Sequence, residues 1–136
     1  MSVPQESSLA ARSDQLTRVV AIGVGLVFVG AGLWAFLAPR SFFESAALFE
    51  PYNAHFIRDI GAFQLGLGAV LLLAVWLQDA LLAALTGVGV GAVAHVAAHV
   101  IDRDLGGDPL VDIPTFSVIA ILLIAAAVAR ARTLRR

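Results

Sequence analysis

Four long stretches of the chain carry no charge: Val19 to Ala38, Ile60 to Gln78, Ala80 to Ile101 and Ile113 to Ala129. Charged residues collect between and outside them. A helix rises 1.5 Å per residue, so about 20 apolar residues cross the roughly 30 Å hydrocarbon layer of a bilayer. The first three stretches meet that length. The fourth gains length from Leu110 and Val111 upstream and from Arg130 and Arg132 downstream, whose stems can lie in lipid while the guanidinium groups reach the headgroups. Strands of a membrane barrel would alternate polar and apolar residues, and these stretches do not. The pattern predicts an all-α integral membrane four-helix bundle with spans at about 17–38, 57–78, 80–101 and 112–131. Residues 1–13 read as a flexible cytoplasmic tail ahead of a transmembrane domain at 14–136. The first apolar run is longer than the roughly 7 to 15 residues of a signal peptide core, so it reads as a retained span.

Composition narrows the class. Hydrophobic residues make up 60% of the 136 and charged residues 14%, against about 25% charged in a soluble domain, so the lipid bilayer is the first expected partner. The net charge is −1 and the nine basic residues, all Arg, are scattered. They offer no basic field for nucleic acid. The lack of cysteine excludes disulfides, thiolate nucleophiles and iron–sulfur ligation.

Arginine placement sets the expected orientation. An even number of spans puts both termini on one side, with Arg12, Arg18, Arg130, Arg132, Arg135 and Arg136. The opposite side holds only Arg40, Arg58 and Arg103, among seven acidic residues. The positive-inside rule therefore predicts a multi-pass inner-membrane protein with N- and C-termini in the cytoplasm. The tight Leu77-Gln78-Asp79 corner makes the second and third spans antiparallel, and the two longer loops face outward.

The first outer loop is expected to hold a short interfacial helix. Ser41-Phe42-Phe43-Glu44 fits a capping box, predicting a helix from about Phe42 to Phe49 that Pro51 ends. Phe42, Phe43, Leu48 and Phe49 would dip into the interface as an anchor rather than a gating lid, with Tyr52 and Phe56 in the aromatic belt.

The third span carries the polar chemistry. At about 100° per residue, Ala84, Gly87, Gly91, Ala94, His95, Ala98, His99 and Asp102 share an arc of roughly 140°, opposite Leu82, Val93, Val96 and Val100. Gly87 and Gly91 form a GxxxG pair of the kind that lets helices approach closely in lipid. The second span places His55, Asp59, Ala62, Gly66 and Ala69 on one face and Gln64, Leu67 and Leu71 elsewhere. If the two small-residue faces pack together, His55 and Asp59 meet His95, His99 and Asp102. Two histidines at i and i+4 can bind one ion from consecutive turns, and a third His or an Asp completes a set suited to a divalent transition metal. A haem ligand or a proton relay is the other use of such a pair. The bland alternative is that these groups only pack and hydrogen-bond near the headgroups.

The remaining motifs read structurally. Asp102 to Asp108 lacks the ligand pattern of a calcium loop and reads as a solvated turn, with Asp112 helping to cap the fourth span and Pro114 in its first turn. Gly30 and Gly32 follow no strand and read as packing glycines rather than a nucleotide fingerprint.

The stretch Pro39 to Leu71, above all Tyr52-Asn53-Ala54-His55-Phe56-Ile57-Arg58-Asp59-Ile60-Gly61, resembles small bacterial four-helix membrane proteins of the loosely DoxX-like kind. The resemblance implies a four-helix inner-membrane protein, treats His55, Arg58 and Asp59 as a unit, and hints at membrane redox complexes. Three functions are expected in order. The first is an accessory subunit packing through glycine-rich faces as a homo-oligomer or within a larger complex. The second is a metal- or haem-binding protein, redox or hydrolytic, using His55, Asp59, His95 and His99. The third is a small transporter, disfavoured because the first span has no carboxylate within the bilayer.

Overall fold

A computed structural model of the chain describes residues 3–77 and 79–135. Gln78 of the predicted corner and Arg136 of the terminal arginine set lie outside the described residues. Five helices follow in order: α1 (Val3–Leu37), α2 (Pro39–Ala46), α3 (Ala54–Trp76), α4 (Leu81–Ile101) and α5 (Pro109–Leu134). Four of them, α1, α3, α4 and α5, are long and apolar enough to cross a membrane. The protein is an all-α membrane four-helix bundle with one short helix in its first loop. Only 22–33% of each span's most apolar window is buried inside the bundle, so most of its surface is left to lipid. Helix α1 begins at Val3, and helical backbone thus runs through nearly all of the stretch expected as a tail.

Helix ends differ from expectation where a different side chain does the capping. At α2, Ser41 caps nothing: Ala38 is the N-cap, Pro39 fills the first turn, and the Ser41 hydroxyl accepts from Trp34 Nε1 at 3.2 Å. Glu44 pairs with Arg40 at 2.7 Å instead of returning to the backbone. That hydrogen bond raises the Arg40 guanidinium pKa above its ordinary value. The helix is therefore Pro39–Ala46, not Phe42 to Phe49, and it ends well before Pro51. Proline at the first helical position costs nothing, since its missing N–H would have no partner there. Phe42 and Phe43 are buried against Ala35 and Ile57 rather than dipping outward. At α3, Asn53 caps by accepting from the His55 and Phe56 amides. At α5 the cap is Asp108, with Pro109 next, while Asp112 accepts the Asp108 N–H at 2.9 Å. Asp112 thus helps close the start of α5, as expected, although Asp108 is the N-cap residue, and Pro114 sits inside the helix rather than in its first turn.

Packing follows close glycine contacts between α1 and α3. A methyl group built on Gly32 would stand 2.8 Å from Gly61 O, one on Gly61 2.8 Å from Gly32 O, and one on Gly68 2.8 Å from Gly25 O. Gly25 and Gly32 on α1, and Gly61 and Gly68 on α3, each lie seven residues apart. That spacing returns to nearly the same face of a helix, so two antiparallel backbones interlock along it. Helix α4 packs mainly on α5, where Gly89 lies against Leu123 and Ile124. A central core of Ala21, Val24, Leu71, Leu85, Val88 and Leu123 joins the two pairs.

Two expected faces are overturned. Gly87, Gly91, Gly66 and Gly30 have open space where a side chain would go, so the GxxxG pair is not a packing seam within the chain. His55, Asp59, Ala62, Gly66 and Ala69 are all exposed, while Ile57, Gly61, Gly68 and Leu71 face inward. Consequently α3 and α4, although consecutive, touch little and are not packed through their small faces. In lipid a small residue facing outward loses little, so small size alone does not mark an interior face.

The end of the bundle bearing both termini is tied by charge. Asp14 pairs through Oδ2 with Arg18 at 2.8 Å and through Oδ1 with Arg130, and Arg18 donates to Val75 O at 2.6 Å. Arg130 is only 7% exposed, so it is a buried link between α5 and α1 rather than a headgroup anchor.

Candidate functional site

At the opposite end the weak α3–α4 contact leaves a cavity. Its upper compartment, about 430 Å³, lies beneath α2 and the two loops at the end away from the termini. A lower compartment of about 320 Å³ continues between α3 and α4. Ile60, Gln64, His95 and Phe116 line both, which makes them adjoining parts of one space.

The roof is built by backbone. Gly107 N–H donates to Leu48 O at 2.8 Å, joining the second outer loop to the first. Gly106 and Gly107 have φ of +139° and +76°, conformations that a Cβ strongly disfavours. A methyl group at Gly106 would also meet Leu48 O at 2.5 Å, and one at Gly107 would meet Asp112 Oδ2 at 2.5 Å. Phe42 and Phe49 close the space from the first loop. The segment expected as an interfacial anchor is therefore part of a cap over the cavity.

The polar wall comes from α4 and α5. His95 and His99, one turn apart, meet edge to face at 4.7 Å between centroids, and each ring contacts Phe116 at 4.5 and 4.9 Å. His99 Nδ1 stands 4.0 Å from Asp112 Oδ2. That is too long for a hydrogen bond and near enough for attraction when the imidazole is protonated. Asp102 lines the upper rim. Gln64, on α3, faces this wall, and its buried Oε1 accepts no hydrogen bond among the described residues.

The four residues expected to share a metal do not come together. His55 is exposed and pairs with Asp59 at 3.5 Å on the outside of α3, and neither lines the cavity. Among the described residues, no three His, Cys, Asp or Glu side chains gather in a way that could hold a metal ion. Of the expected set, His95, His99 and Asp102 belong to the cavity. Gln64, Asp112 and Phe116 are the residues that sequence reasoning missed as site residues. Gln64 and Asp112 were legible only as polar groups in apolar surroundings, and Phe116 bore no signal.

No family model, curated protein or solved structure matches the chain.

Proposed function

We propose that this multi-pass membrane protein works by binding a lipid-soluble small molecule in the cavity at the extracytoplasmic end of its bundle. The observation that carries the reading is the continuity of the two compartments. A polar wall above, with His95, His99 and Asp112, runs into an apolar slot below, with Phe28, Phe63 and Leu67. Phe63 lines the slot while 76% exposed on the bundle surface, so the space reaches the lipid-facing side between α3 and α4. Cavities of a few hundred Å³, mostly apolar with a few convergent polar groups, are where small molecules bind. Orientation follows the arginine distribution, with both termini on the cytoplasmic side of a bacterial inner membrane. The DoxX-like resemblance agrees with that location.

Ala98 lines the upper compartment and is exposed, so Ala98→Trp should fill the space without disturbing the core. Protein purified without chelator or metal-affinity tag should release a small lipid-soluble molecule on solvent extraction, and the Ala98→Trp variant of equal melting temperature should not. Identical extracts from both, or near-stoichiometric transition metal or a haem band in the wild type, would overturn the reading.

An accessory role is the second reading. Gly23, Gly30, Gly66 and Gly87 leave outward backbone uncovered, which suits the close approach of helices from another copy or a larger complex.

A further inference from the structure

We infer that the molecule held in this cavity is a lipid-soluble amine, bound as its ammonium ion with its hydrocarbon body in the lower compartment. The inference rests on the cavity being a ligand site, and adds the chemistry of the occupant.

Charge gives the first argument. Asp102 and Asp112 line the upper compartment beside the imidazoles of His95 and His99, and among the described residues no arginine does; the chain has no lysine. A carboxylate or phosphate headgroup would meet two like charges in a space partly shielded from water, whereas a cation would meet two opposite ones. Asp112 is well placed for this, with its side chain 18% exposed and its carboxylate held at the mouth of α5 by the Asp108 amide.

Hydrogen bonding gives the second. Gln64 Oε1 is a buried acceptor with no donor among the described residues. A buried acceptor left unmatched is costly. An ammonium N–H supplies the missing donor, as an alcohol O–H also would, whereas a ketone, ether, ester or carboxylate oxygen leaves Gln64 as it is; charge is what separates the amine from the alcohol. Gln64 lines both compartments, the position that the junction between a polar head and its apolar body would occupy.

The third argument is the character of the walls. Phe49, Phe56 and Phe116 surround the upper compartment, and the faces of aromatic rings attract cations. Below, Phe28, Phe63, Leu67, Val88 and Ile119 offer an apolar slot for a hydrocarbon. A strongly hydrated cation such as a free polyamine would leave that slot unfilled. An amphipathic amine fills both parts and can enter from lipid between α3 and α4.

The test compares dodecylamine, 1-dodecanol and laurate, which share a twelve-carbon chain and differ in the head. Titrations use the full chain in phosphatidylcholine nanodiscs at neutral pH, against empty discs. Dodecylamine should saturate at one per chain, about tenfold or more tighter than either other probe, as a single well-placed charge interaction allows. Asp112→Asn, which still accepts the Asp108 N–H, should weaken the amine about tenfold while changing dodecanol little. Ala98→Trp should abolish binding of the amine. Equal binding of all three probes, unaffected by Asp112→Asn but lost in Ala98→Trp, would overturn the amine and leave the cavity as a ligand site. Binding of no probe above empty discs would overturn both.

Discussion

Asp14 holds two guanidinium groups from different helices, using one carboxylate oxygen for each. Through it the start of α1 is tied to the end of α5, and Arg18 carries the link on to the last turn of α3 at Val75. A charge near the hydrocarbon is expensive unless it is neutralised, and Arg130 is almost wholly buried. Asp14→Ala takes the carboxylate from that buried cation. The loss should be about 2 kcal/mol, below the value for fully buried pairs because Asp14 keeps 29% of its side-chain surface exposed. Thermal melting in detergent should fall by several degrees. Adding Arg130→Met to Asp14→Ala should recover most of the loss, since the buried charge is then gone too. A double variant no more stable than Asp14→Ala would show that the pair does not hold the helices. In the sequence, Arg130 is indistinguishable from Arg132 and Arg135, all reading as membrane-flanking arginines. What separates them is which one faces Asp14 across 116 residues of chain, and no local pattern encodes that.

At the scale of helices, the α1–α3 pair is set by four glycines rather than by large side chains. Gly32 and Gly61 leave no room for even a methyl group, while Gly87 faces open space. Gly32→Leu or Gly61→Leu should therefore prevent folding or lower the melting temperature by ten degrees or more, since backbones at contact cannot yield. Gly87→Leu should melt like the wild type. If Gly87→Leu also shifts the sedimentation of the detergent-solubilised protein toward monomer, the outward glycines serve partner helices. If Gly87→Leu unfolds the protein and Gly61→Leu does not, the packing described above is wrong. The number, extent and alternation of the spans were legible, because hydropathy and length report directly on the bilayer as solvent. The packed faces were not. Gly87 and Gly91 make the more familiar pattern, but the close contacts use the longer Gly25/Gly32 and Gly61/Gly68 spacing, whose significance depends on two helices meeting in register. The same gap hid the cap of α2: Ser41-x-x-Glu44 reads as helix-starting chemistry, yet Pro39 starts the helix three residues earlier and frees Ser41 for Trp34.

For the whole molecule, the pairing of α1 with α3 and α4 with α5 leaves consecutive helices α3 and α4 apart at the end away from the termini, and that separation is what makes the cavity. His95 and His99 stand out in the sequence as candidate site residues because an i, i+4 pair near a span's end is rare and polar, and both line the cavity. Asp112, Gln64 and Phe116 reach them from two other helices, and His55 and Asp59 leave them because α3 turns its opposite face inward. Both outer loops meet over the cavity through Gly107 and Leu48, and both termini share the other end through Asp14 and Arg130. This arrangement makes the two ends of the molecule distinguishable by labelling. The chain has no cysteine, so any single introduced one is a unique label. Ser45 is exposed and Leu105 is 74% exposed in the outer loops, while Ser8 is exposed on the first turns of α1. An impermeant maleimide added to intact spheroplasts should modify the Ser45→Cys and Leu105→Cys variants and spare Ser8→Cys until the membrane is opened, if the six terminal-side arginines orient the chain as the positive-inside rule predicts. Modification of Ser8→Cys with protection of the other two would invert the orientation and move the cavity to the cytoplasmic face. Opposite outcomes for Ser45→Cys and Leu105→Cys would refute the shared roof itself, since two loops joined by a backbone hydrogen bond cannot lie on different sides of a bilayer.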